Sequence, residues 1–225
     1  MWCVAELNDE YVLRMNDVLE LYEREYEASE PVVCLDERPV QLHDEKRTEK
    51  PAAPGKPRRY DYEYVRCGTA NIFCVVEPLA GRHMAKATQT RSGVEFAKVL
   101  GELANRYRKA DTIHLVMDNL STHSKASLER HYGQERGQEI WNRFTIHYTP
   151  KHASWLNQAE IEICMMNRQS LRGRRFPTLA QLRDHVGAWV RATNAARTRI
   201  DWRFTREKAR LCFGLEATET KLQKH

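Results

Sequence analysis

The chain reads as an α/β domain built on one mixed sheet flanked by helices, and three features predict it. Strand-like segments come first and are joined by short connections. Later strands alternate with helical stretches, the pattern of crossovers. Two apolar runs, Val32 to Glu37 and Thr112 to Asn119, have the character of strands, the first buried on both faces and the second ending in a polar loop.

The elements follow in order. Val12, Met15, Leu19, Tyr22 and Tyr26 recur at steps of three and four, which predicts an amphipathic helix over residues 8–27, with Pro31 soon after it. The first buried strand comes next. Residues 43–59 are rich in charge and proline and predict a loop or arm. Aromatic and β-branched residues return over 60–78 with Gly68 between two halves, which predicts a hairpin, and a short strand is expected over 82–88. Residues 94–108 carry a helical stripe leading to the second buried strand. A helix over 125–141, a strand over 144–148 and a closing helix over 179–195 complete the pattern. The expected division is a helical lead-in at 1–30, the sheet domain at 31–200 and a C-terminal tail at 201–225.

The chain has 225 residues, 41% of them hydrophobic and 30% charged, enough for one substantial core. Its mean hydropathy is −0.70 and it has no apolar run of membrane-spanning length, so no membrane partner and a cytoplasmic address are expected. A net charge of +5 favours polyanionic partners. The excess is local, since 46–59 and 168–175 are dense in Lys and Arg while the first 30 residues are acidic. The six cysteines include no Cys-x-x-Cys pair and read as mostly buried thiols. The nine histidines lack zinc-ligand spacing.

Against this background three acids stand out. Asp36 lies in the first buried strand, Asp118 ends the second, and Glu160 lies in a helical segment for which Ser154 is the expected N-cap. A strand end often uses an acid as a cap or ion-pair partner, so each acid alone says little. Two carboxylates about 4 Å apart repel by roughly 4 kcal/mol at an effective dielectric near 20, so three together either take up protons or hold a cation. Hard oxygen ligands suit Mg²⁺ or Mn²⁺, and two such ions roughly 3.5–4 Å apart are the arrangement for attack on phosphodiesters. Glu160 competes with Glu162, which points to nearly the opposite side of a helix. The stripe of Leu156, Ala159, Ile163, Cys164, Met166 and Leu171 includes Glu160 and leaves Glu162 at its edge. Lys56, Arg58, Arg59, Lys151, His152, Arg168 and Arg172 are the candidate DNA contacts, with His123 as a phosphate or water contact.

Taken together, Cys34-Leu35-Asp36-Glu37, the stretch Pro54 to Tyr64, Met117-Asp118-Asn119 with His123, Thr149-Pro150-Lys151-His152, and Trp155 to Glu160 resemble bacterial insertion-sequence transposases related to the mariner group, of the DDE-superfamily endonucleases. Trp202-Arg203-Phe204-Thr205 extends the likeness to nearly the whole chain. The resemblance implies a ribonuclease-H-like fold, a five-stranded mixed sheet whose Asp36, Asp118 and Glu160 bind two Mg²⁺ or Mn²⁺ ions, with Asp36 bridging them. It implies metal-dependent DNA strand cleavage and strand transfer on double-stranded transposon ends and target, by a homo-oligomer. Two departures bear on this. Gln158-Ala159 stands where many relatives carry Pro-Ile, and the chain starts where the family's helix-turn-helix modules end. The alternatives are an inactive DNA- or partner-binding remnant of a truncated transposase, whose sequence after Cys212 departs from the usual terminus, and a ribonuclease acting on RNA:DNA hybrids.

Overall fold

Five strands form a single mixed sheet in the order β3-β2-β1-β4-β5. They are β1 (Val32–Glu45), β2 (Tyr64–Glu77), β3 (Arg82–Thr88), β4 (Ile113–Met117) and β5 (Phe144–Tyr148). The structure is a computed structural model, and it describes residues 7–47, 51–57, 59 and 62–215. β1, β2 and β3 pair antiparallel, whereas β4 lies parallel to both β1 and β5. Parallel neighbours need crossovers, supplied by α2 (Gly93–Arg106) before β4 and by α3 (Lys125–Tyr132) and α4 (Gln134–Trp141) before β5. This is the ribonuclease-H-like arrangement.

Alternation along the strands separates the core into layers. Val33, Leu35, Phe73, Val75, Leu115 and Met117 pack under α2, α3 and α4. On the opposite face, Cys34, Val76 and Val116 meet α1 (Asp9–Glu23) and the start of α5 (Ala159–Met166), with α7 (Arg206–Phe213) beside them. Ile72, Cys74 and Ala87 on that same face are covered by α5 and α6 (Leu179–Ala196). Both faces are therefore dry at the centre. That is why β1 and β4 read as unbroken apolar runs.

The structure differs from the sequence reading in its polar stretches. β1 continues through Glu45, where a loop is expected, because β2 pairs with it as far as Glu45↔Tyr64, with an irregularity between Leu42 and His43. The backbone ladder holds these outer halves together, and hydropathy is silent about it. For the same reason residues 64–77 form one strand instead of a hairpin about Gly68. The helix expected over 125–141 breaks into α3 and α4 at Gly133, whose φ of 85° favours glycine. Of the five described cysteines, Cys34 and Cys74 are buried and Cys67, Cys164 and Cys212 are exposed, which corrects the expectation of mostly buried thiols. Among the described residues no helix is long and apolar enough to cross a membrane.

A buried polar clamp fixes the edge of the sheet. His83 on β3 has Nδ1 2.7 Å from Glu162 Oε1 and Nε2 2.9 Å from the Thr198 carbonyl, and both side chains are buried. Asn194 of α6 accepts from the His83 backbone N–H and donates to its carbonyl, each at 2.9 Å. His83→Ala strands the Glu162 carboxylate in the interior. Its urea midpoint should drop by the equivalent of roughly 3–5 kcal/mol, and adding Glu162→Leu should restore much of the loss. Equal stability of wild type and His83→Ala would remove the clamp from this account.

Candidate active site

The parallel ladder between β1 and β4 brings two of the acids together. It pairs Val32↔His114, Val33↔Leu115 and Cys34↔Val116, so the same register carried two residues on sets Asp36 beside Asp118, just past the end of β4. Both then share the face of Cys34 and Val116. The third acid arrives through Asn157. Its Nδ2 donates to the Leu35 carbonyl at 2.7 Å and lies 3.3 Å from Asp36 Oδ2, while its Oδ1 accepts the Ala159 N–H at 3.1 Å. This buried amide fastens the start of α5 to β1, with Glu160 one residue inside the helix. Ser154, the expected cap, instead opens a short 3-10 turn, Ser154–Leu156.

The electrostatic result is a carboxyl pushed far from its ordinary range. Burial, foremost, and then the negative charges of Glu160 and Asp118 raise Asp36 to about 7, although the Glu37 N–H, donating at 2.7 Å, opposes this.

His123 is the pivot of a second layer. It is buried, stacked on Phe96 with ring centroids 4.5 Å apart, with Nε2 3.0 Å from Glu37 Oε1 and Nδ1 2.7 Å from Asp118 Oδ1. Burial opposes its charge, but the hydrogen bonds to Asp118 and Glu37 outweigh it and raise the imidazole to about 9. His123, read from the sequence as a phosphate or water contact, thus turns Nε2 to the Glu37 carboxylate and Nδ1 to Asp118, whose carbonyl oxygen lies 3.2 Å away.

Glu162, not Glu160, is the fully buried acid of α5: the stripe is buried as expected except at Cys164, which is exposed, but it is Glu162 and not Glu160 that goes inward with it. The reason is the His83 clamp, which makes the interior hospitable to one carboxylate. Glu160 stays half-buried, with its charge acting on Asp36. Lys151 and His152 are exposed and line a cleft of about 800 Å³ together with Asp118, Asn119 and Arg14. His152 there adopts a left-handed φ of 62°. Arg168 and Arg172 are exposed on and just after the π turn Asn167–Leu171 that follows α5. Lys56 and Arg59 are exposed between β1 and β2, and Arg58 lies outside the described residues. A larger cleft, about 1380 Å³, lies away from the acids between His43–Lys46 and the start of α6; size alone does not mark the chemistry.

Sequence reasoning passed over Glu37, Asn157 and Arg38. Arg38 was within reach of it, since two residues on from Asp36 is the same strand face; its Nη2 donates to Asn167 Oδ1 at 3.0 Å and its buried Nε has no partner.

Among the described residues, no three His, Cys, Asp or Glu side chains stand close enough to cage a metal ion. The donor chemistry nevertheless fits one. The charges of Asp118 and Glu160 acting on Asp36 mark a set of hard oxygens, and the buried Glu37 Oε2 beside them has no hydrogen-bond partner.

A mixed sheet delivering acids from β1, the end of β4 and a following helix defines a phosphodiester-processing class, and residues 31–183 match the family model described as DDE superfamily endonuclease. The chain belongs to that family. Solved structures similar to it are the Mos1 mariner paired-end complex with Mn (TM-score 0.56, 17% identity, 85% of this chain and 58% of that one) and the Mos1 transposase paired-end complex with left transposon end (0.57, 16%, 85% and 58%). The Mos1 strand transfer complex is a third (0.55, 17%, 85% and 57%). The chain thus spans less than two thirds of the length of the transposase chains it matches. No curated protein matches it in sequence.

Proposed function

We propose that residues 31–200 form a transposase catalytic domain that cuts DNA strands and joins the freed ends to target DNA, working in the cytoplasm on double-stranded transposon ends as a homo-oligomer. The observation that carries this is the convergence on Asp36 of charge from Asp118 and Glu160, three acids far apart in the chain. Family membership and the likeness to Mos1 complexes with DNA ends, with Mn and with Mg, support it.

Asp36, Asp118 and Glu160 would hold one or two Mg²⁺ or Mn²⁺ ions. When bound, these supply positive charge to the attacking and leaving oxygens of the phosphodiester. The chain's own groups do the rest. Asn157 sets the Asp36 carboxylate and the start of α5 in one frame. His123, protonated at neutral pH, holds Asp118 and Glu37 in place. Lys151 offers a cation beside Asp118, and His152 a hydrogen-bonding ring, for the phosphates flanking the cut. In cleavage, water attacks phosphorus, the P–O3′ bond breaks and the 3′ oxygen leaves as a hydroxyl. In joining, that hydroxyl is the nucleophile on a target phosphodiester.

The test is nicking of a supercoiled plasmid carrying the element's ends. Nicks should appear with Mn²⁺ or Mg²⁺ and vanish with EDTA, whereas the RNA of an RNA:DNA hybrid should survive. Preferential loss of the RNA, or metal-independent nicking, overturns the reading.

A further inference from the structure

A second cluster of cations lies at the other end of the strands. Between the β2–β3 turn and the end of α6 is a pocket of about 400 Å³ whose lining includes Tyr26, Leu79, Gly81, Arg82, Arg197 and Arg199. Arg82 pairs with Glu77, three residues along β2 from Cys74, which faces Asp36. From strand geometry its Cα lies on the order of 14 Å from that of Asp36.

The backbone is bent to make this pocket. Arg197 follows α6 in the left-handed conformation, φ 49°, a position where helix ends ordinarily use glycine. Gly81, itself at φ 61°, closes against it, and a Cβ there would come within 2.8 Å of the Arg197 carbonyl oxygen. Arg82 is held from behind, donating at 2.9 Å to the buried carboxylate of Glu77, which also accepts from Tyr107 Oη at 2.8 Å. Arg197 and Arg199 are exposed, and neither makes an ion pair among the described residues. The negative end of the α6 dipole favours one cation here, but it does not account for three guanidinium groups around one hollow, one of them on a strained backbone.

We infer that this pocket binds a backbone phosphate of DNA away from the bond being cut, with Tyr26 lying along the adjoining nucleotide. Guanidinium forks match phosphate oxygens in pairs, and the volume suits a small ligand unit such as one nucleotide. Choosing DNA as the polyanion rests on the reading of the domain as a DNA-cutting enzyme.

The test is fluorescence anisotropy of a labelled 20-base-pair duplex, titrated in EDTA across a range of salt. Arg197→Ala/Arg199→Ala should bind about tenfold more weakly, and its log–log salt slope should fall by about 1, the loss of one phosphate contact. Arg197→Gly separates recognition from folding. It relieves the left-handed arginine, so Tm should rise by about 2 °C while duplex affinity falls several-fold. Unchanged affinity and slope in the double variant overturn the inference. So does tighter binding of poly-glutamate than of duplex, or arginine-dependent binding of inorganic phosphate without binding of duplex. A wild-type protein that binds DNA through these arginines yet never nicks it would count against the enzyme reading and leave the pocket standing.

Discussion

Asp36→Asn should lose metal-dependent nicking by on the order of 10³-fold or more, because the amide removes a ligand charge that several kcal/mol of transition-state stabilisation depend on. The same substitution should not unfold the protein. In the metal-free state Asp36 is a strained group, raised from an ordinary 3.8 to about 7 by burial and then by Glu160 and Asp118. The folded state therefore keeps a proton between about pH 4 and 7 that the unfolded chain releases, so stability declines as pH rises through that window. His123 adds a decline of its own. Its pKa is raised from 6.5 to about 9, so its stabilisation is complete below 6.5 and is lost as pH climbs through 9. Metal-free wild type should thus melt lower at pH 8 than at pH 5. Asp36→Asn should flatten the pH 4–7 part of that slope, and Mn²⁺ should raise the pH 8 melting temperature of wild type but hardly that of the variant. A variant that nicks at the wild-type rate removes Asp36 from the catalytic set.

The second large effect is structural and falls on His123. His123→Ala takes away the cation between Glu37 and Asp118 and leaves the Glu37 carboxylate buried beside the other acids. The loss should be roughly 3–5 kcal/mol, most of it from Glu37, since the Asp118 side chain is 43% exposed and water offsets part of its loss. Denaturant melts at pH 7 measure it directly. At that pH nicking should also fall, even at temperatures where the variant is folded, because Asp118 is no longer held. His123→Ala paired with Glu37→Gln should recover stability but not nicking. If the single variant is as stable as wild type, the imidazole is not the counter-charge described here.

Asp36 and Asp118 illustrate what local sequence can nominate. A carboxylate at the end of a buried apolar run is visible without coordinates, since apolar runs with both faces covered have few reasons to carry one. The choice of Glu160 over Glu162 shows where it is not. The helical stripe favours Glu160 for a reason the structure removes, because the more buried acid is Glu162, matched to His83 across 79 positions of sequence. No window on α5 contains that partner. Asn157 and His123 belong to the same category. Each has an ordinary local setting, and each acquires its role from Leu35 and Asp36, or from Glu37 and Asp118, on other elements.

The order of strands and crossovers, the two buried strands, the closing helix and the positions of the acids proposed as a site were legible in the chain's own pattern, because periodicity and hydropathy are properties of neighbours a few residues apart. Only the tertiary structure decided how far β1 and β2 run, which glutamate of α5 goes inward, that His123 is a buried cation, and that Arg82, Arg197 and Arg199 share a hollow. Those outcomes depend on ladder pairing and on charges meeting across the fold. Such energies exist only between segments that the sequence places far apart.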